Sequence, residues 1–276
     1  MTTKAKGTET KDETTSVAVT EAAGALAMVE MFEGLAGEGF EDAGASAYAI
    51  PFFKVLQSMS KQCKRANPEY VEGAIEGNFF NTVSNGVYDG TNGVLFIPVH
   101  FVQKFLEWAG TLDEGGGLIA QHDVAAGMDL LSQCTRDADG NDRLPNNHII
   151  QDVREHYGLV IDPDTLVPMA VVLSMTSTQI KKSKRFMSNM GAMKRNPLQP
   201  RPDASYTHVY RLTTVPEKKD QFDYYGLQIT HVCGIEDAAK MELFQNVENV
   251  FTTAQEFRAM VKSGKAKPAD DVDVPF

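Results

Sequence analysis

The chain has 276 residues, 42% of them hydrophobic, and a formal net charge of −11, which suits one large domain or two small ones. Its apolar runs, such as GVLFIPV and VPMAVVL, fall far short of the about 20 residues that cross a bilayer. The polar start MTTKAKGTETKDETTS lacks the apolar stretch of a secretory signal.

Cys63, Cys134 and Cys233 are odd in number, widely spaced and without a C-x-x-C. That excludes a disulfide framework and a structural zinc site, and a reduced, cytoplasmic protein with no membrane segment is expected. Taken as an average, the charge opposes nucleic-acid binding, because a binder must neutralise phosphates.

Residues 1–16 are rich in Thr, Lys and Glu without aromatics, a composition that predicts disorder. Residues 17–47 are rich in Ala, Gly and Glu, with helical spacing at Leu26, Val29 and Phe32. The N-terminal segment 1–47 is therefore expected to be disordered or loosely helical. A folded domain is expected over 48–263, with a tail at 264–276.

IPFFKVLQ reads as a strand. The stretch from GNFF to FLEW alternates turn pairs (Asn85-Gly86, Asp89-Gly90, Asn92-Gly93) with aromatic and β-branched runs, the pattern of hairpins. REHYGLVID and VPMAVVLSM are two strands joined by the turn PDTL. ASYTHVYRLTTVPE and FDYYGLQITHVCGI form a further hairpin around KKDQ. EDAAKMELFQNVENVF and AQEFRAMVKSG read as late helices, with Gly264 as C-cap. The fold class expected is mainly β with helices (α+β). The order strand–strand–helix–hairpin fits a five-stranded oligonucleotide-binding (OB-like) barrel with extra strands.

Between the strands lies STQIKKSKRFMSNMGAMKR. Residues 176–219 hold ten basic and two acidic side chains, a net of +8 within an acidic protein. Ser177 or Thr178 is placed to cap a helix from about Gln179 to Met193. At 100° per residue, Ile180, Phe186, Met187, Met190 and Met193 share one side. Lys181, Lys182, Lys184 and Arg185 share the other, with no acidic i,i+4 partner. One face packs on the barrel and the other presents cations to a polyanion.

Lys194, Arg195 and Arg211 are further candidates. Single-stranded nucleic acid also needs flat side chains on which bases stack. Tyr206, Tyr210 and Tyr225 are the stacking candidates, because a tyrosine hydroxyl tolerates a wet surface. Strand alternation puts Tyr206, His208 and Tyr210 on one face. Trp108 reads as packed.

Catalytic patterns are missing. DADGND opens like a calcium loop, but Asp142 stands where glycine is needed and His148 where the bidentate glutamate belongs, so it is a turn. The Gly115–Gly117 run has no following Lys-Ser/Thr. The six histidines show no zinc spacing. Nothing in the spacing of Asp123, Asp129 and Asp152 brings them together around magnesium. No enzyme activity, metal or cofactor is expected.

The chain ends in DDVDVPF. Asp270, Asp271 and Asp273 are followed by Pro275 and Phe276, an acidic tip suited to docking a partner or competing for the basic face. This ending resembles the tip of bacterial single-stranded DNA-binding proteins, which close on an acidic run and Ile-Pro-Phe. Here Val274 replaces the isoleucine and Val272 interrupts the acids. IPFFKVLQ, GNFFNTVSNGVYDG, VLFIPVHFVQKFLEW and STQIKKSKRF are similar to segments of phage-encoded proteins of that type.

The resemblance implies an OB barrel that coats single-stranded DNA without sequence preference during phage replication, recombination and repair. It also implies recruitment of replication or recombination proteins through residues 270–276, and it allows a homo-oligomer. A strand-annealing recombinase, a virion structural protein and a metal-dependent nuclease are the alternatives.

Overall fold

A computed structural model of the chain describes residues 49–111, 116–219, 222–244, 246–266 and 268–269, with isolated positions between 31 and 39. The chain divides into two units, Met1–Gly44 and Ala45–Phe276. The fold set out below is that of the second.

Its centre is a pair of long antiparallel strands, β4 (Val94–Trp108) and β8 (Ile149–Ile161). They run in register from Leu95 opposite Ile161 to Trp108 opposite Ile149, with a bulge between Pro98 and His100. Nine further strands are described: β1 (Phe53–Val55), β2 (Phe79–Asn81), β3 (Val87–Tyr88), β5 (Leu118–His122), β6 (Thr135–Arg136), β7 (Asp142–Arg143), β9 (Pro168–Met175), β10 (His208–Lys219) and β11 (Phe222–Gly234). The helices are α1 (Val124–Ser132), α2 (Ile180–Ala192), α3 (Ile235–Ala238) and α4 (Val247–Lys262). The protein is mainly β with helices, an α+β fold.

The large sheet runs β11-β10-β4-β8, with β9 and β7 beside β8 and β5 beside β4. It curls into a half-barrel. All five long strands send side chains into one cluster: Phe96 from β4, Val160 from β8, Leu173 and Met175 from β9, Tyr210 from β10 and Leu227 from β11. Phe53, Phe79 and Phe186 of α2 fill the same space.

The gap between outer strands β9 and β11 is bridged by residues 51–57. Val172 N–H donates to the Pro51 carbonyl at 2.8 Å. At the other side the Gln57 amide acts as a strand residue would: its Nε2 donates to Tyr225 O at 2.9 Å and its Oε1 accepts from Tyr225 N at 2.8 Å.

The opposite face of β4, β8 and β9 is also buried. Leu95, Ile97, Leu159, Ile161 and Val172 pack with Val250, Ala254 and Phe257 of α4. Burial on both sides shows in β8, where every residue from Val153 to Ile161 is buried rather than alternate ones.

Several local expectations are met. PDTL is the β8–β9 turn, where Asp162 Oδ1 accepts from the N–H groups of Asp164 and Thr165. DADGND is the turn between β6 and β7. Gly264, at φ 71°, ends α4. Its N–H bonds Val261 O while Lys265 N–H bonds Met260 O, a Schellman pair.

Others are corrected. The late helical sequence forms a short α3 and one longer α4, split differently from the reading. The turn at Ser177–Gln179 is a 3-10 helix, and neither Ser177 nor Thr178 caps α2 by a side-chain bond. α1 was not anticipated, although Asp123 caps it by accepting from Ala126 N–H at 2.9 Å.

Inside the ribbon, a Cβ on Gly158 would meet the Phe96 ring at 2.3 Å and the Ile97 carbonyl oxygen at 2.7 Å. Gly158→Ala is expected to destabilise the fold by about 1–3 kcal/mol. That should appear as a lower urea midpoint at unchanged m-value, and an unshifted midpoint would refute the packing described.

Candidate functional site

Helix α2 is amphipathic, and its buried side plugs the half-barrel. Phe186 is 3% exposed, and its ring lies edge-on to Tyr210 at 4.9 Å and 5.2 Å from His156. Ser183, fully buried on the same side, bonds His156 Nε2 through its Oγ at 2.8 Å. Ile180, Met187 and Met190 are half-buried around them.

The opposite side of α2 carries Lys181, Lys184 and Arg185, all exposed and paired with no described carboxylate. Lys182 differs. Its ammonium is held by Glu217 of β10, an acid 35 residues away that a search for i,i+4 partners misses. Three cations, rather than four, stand free on this face.

The second group of candidates is mostly engaged within the fold. Lys194 Nζ donates to Gln199 O at 3.1 Å. Arg211 donates to Asn92 O at 3.1 Å and keeps an exposed side chain. Arg195 is a clamp: it donates to Glu236 Oε1 at 2.9 Å and Oε2 at 2.6 Å, to Thr207, and to Asp203. The bidentate bond raises the Arg195 pKa and brings the Glu236 carboxyl down to about 2. His208 joins the cluster through Asp203 and His231, each at 3.2 Å. This group joins the segment before β10 to α3 and is occupied in doing so.

The three tyrosines separate. Tyr210 is 2% exposed in the core, so its ring offers no face to a base. Tyr206 is not on the strand; it sits in a 3-10 turn (Ser205–Thr207), half-buried against Phe251 at 5.5 Å. His208 and Tyr210 do share a face, both rings meeting His231, but Tyr206 lies before the strand begins at His208. Tyr225 is half-buried, its backbone held by Gln57. Trp108 is packed, 4% exposed. Asp270, Asp271, Asp273, Pro275 and Phe276 lie outside the described residues. The last described stretch, Pro268–Ala269, lies beside Ile50, whose carbonyl accepts from Ala269 N–H at 2.8 Å.

A cleft of about 470 Å³ opens beside α2. β10 pairs with β4 only over Val94–Phe96, and β5 only over Phe105–Trp108. Between them no described strand takes that edge of β4. Phe101 and His156 form the floor there, 5.0 Å apart. Met187, Met190, Tyr206, His100 and Arg258 also line the cleft. No motif in the sequence joins His100, Phe101, His156 and Arg258 as a group. One signal was available: a proline inside a strand run, Pro98, marks an edge or a bulge.

Among the described residues no group of histidine, cysteine or acidic side chains is arranged to hold a metal. All three cysteines are free thiols. No described helix is long and apolar enough to cross a membrane.

A model of the Pam3 phage gp34-like protein family matches residues 18–267, nearly the whole chain. The chain belongs to that family. It is thus a phage-type protein, and the matched span takes in β4, α2 and α4, the elements that build the cleft. No curated protein and no solved structure matches it.

The floor of this family member's cleft carries an electrostatic consequence. Burial, helped by the nearby Arg154 charge, pushes the His156 pKa down to about 3. His156 is therefore neutral in the fold at pH 7, while an unfolded chain binds a proton near pH 6.5. Below that value the unfolded state takes up a proton the folded state refuses, so stability is full above pH 6.5 and falls as pH drops towards 3. The loss from this group is about 2 kcal/mol between pH 7 and pH 5. Thermal unfolding across that range should show a steeper decline for the native chain than for His156→Gln. Equal slopes would refute the assignment.

Proposed function

We propose that the chain is a single-stranded DNA-binding protein of phage type, without sequence preference and without catalysis, acting in the host cytoplasm. The observation that carries this reading is the face of α2. Lys181, Lys184 and Arg185 stand exposed there without an acid, inside a protein of net charge −11. An unpaired cation cluster on an acidic chain is placed to follow a phosphate backbone.

The strand order supports it. In chain order β4, β8, β9, β10 and β11 are five strands, stacked as five-four-one-two-three, with α2 between the third and fourth. An oligonucleotide-binding barrel, a partly open five-stranded fold that takes single strands, is compatible with this order. The chain departs from it in one respect. The outer face of its second and third strands, the usual ligand surface, lies under α4.

The acidic tip supplies the partner side of the proposal. Its resemblance to bacterial single-stranded DNA-binding proteins points to replication or recombination proteins docking on Pro275 and Phe276.

With three phosphates neutralised, the logarithm of affinity should fall against the logarithm of salt with a slope of about −2. Each contact is worth about fivefold at 0.1 M salt, so the triple change Lys181→Ala, Lys184→Ala, Arg185→Ala should cost about 100-fold on oligo-dT. Lys182→Ala, which removes a paired cation, should cost less than any of the three alone. Gel shifts in rising salt measure both, and equal affinity for duplex or salt-independent binding would defeat the proposal.

A further inference from the structure

We infer that the cleft on the open edge of β4 is a pocket for one unstacked nucleobase of the bound strand, with Arg258 on the adjoining phosphate. The inference rests on the single-stranded DNA reading and locates where, on this fold, a base goes.

Three observations lead there. First, the surface an oligonucleotide-binding barrel ordinarily offers is closed, because α4 buries Leu159, Ile161 and Val172. A strand held by α2 needs another place for its bases, and the cleft borders the same helix. Met187 lines the cleft one turn after Lys184, so a backbone on Lys181, Lys184 and Arg185 passes its rim.

Second, the lining is that of a planar, aromatic ligand. Phe101 and Tyr206 offer flat rings, Met187 and Met190 offer polarisable walls, and the volume of about 470 Å³ suits a small ligand. His156 at the floor is neutral, and its Nε2 is already bonded to Ser183, so the floor presents no competing charge.

Third, the lining includes an unpaired cation. Arg258 pairs with no described carboxylate. Arg258 and Lys262 lie close enough to His100 to lower its pKa, after the larger effect of its own burial. One cation lining an apolar aromatic slot, with a second near His100, matches an anionic chain carrying rings.

An extended peptide is the competing occupant, since an open strand edge invites strand addition. The local backbone opposes it. Pro98 has no N–H to donate, and the bulge between Pro98 and His100 interrupts the even spacing that a ladder requires.

The test uses the full chain and fluorescein-labelled oligo-dT beside an abasic strand of the same length. Tyr206→Leu keeps apolar packing on Phe251 but removes the flat ring. It should weaken dT binding by about 5- to 100-fold and leave abasic binding unchanged. Tyr206→Phe should restore the native value. Arg258→Gln should weaken both strands and reduce the salt slope by about 0.7. A strand carrying 5-iododeoxyuridine should photocross-link to the peptides holding His100, Phe101 or Tyr206.

If the native chain binds dT while Tyr206→Leu matches it and cross-links map elsewhere, the cleft assignment is overturned and the DNA reading survives. That is also the result a peptide-binding edge would produce. If the native chain binds no single strand at all, both fall. Tyr206→Leu and Arg258→Gln should unfold at the native temperature, which separates a lost ring from a lost fold.

Discussion

The β4–β8 ribbon is buried on both faces, and the other elements answer to that. Over Val94–Val99 and Leu159–Ile161 the strand pair presents two apolar surfaces at once. The curl of the sheet, the small β1–β2–β3 sheet and α2 cover one surface, and α4 covers the other. Each covering is obligatory, because an exposed apolar face of that size would otherwise drive association.

The inner covering creates the cation face. α2 is held by a ring and a hydroxyl, Phe186 in the core and Ser183 on His156, and both project from one side of the helix. Helical geometry then forces Lys181, Lys184 and Arg185 into solvent. A neutral, buried His156 is a condition of that seat: an imidazolium there would lack a carboxylate within reach and would carry the desolvation cost of a buried charge.

The outer covering has the opposite effect. α4 closes that face of β8 and β9 to solvent. It also brings Arg258 to the edge of β4. There β10 has already separated and β5 has not yet joined, so the cleft follows from where the neighbouring strands begin and end.

Local physics was legible in the sequence alone. Asn-Gly and Asp-Gly pairs marked turns, PDTL placed a reversal by an Asp side chain on its own backbone, and Gly264 ended a helix because it tolerates positive φ. The 3.6-residue period of α2 divided its apolar from its basic side. All of these are decided by groups within a few residues of one another. What tertiary structure decided was which polar groups remain free. Glu217 takes Lys182 from 35 positions away, Glu236 takes Arg195 from 41, and β10 carries Tyr210 into the core while Tyr206 turns on its own 3-10 helix before the strand starts. A cation's charge is a property of the sequence, whereas its availability depends on partners that only folding brings within a few ångströms.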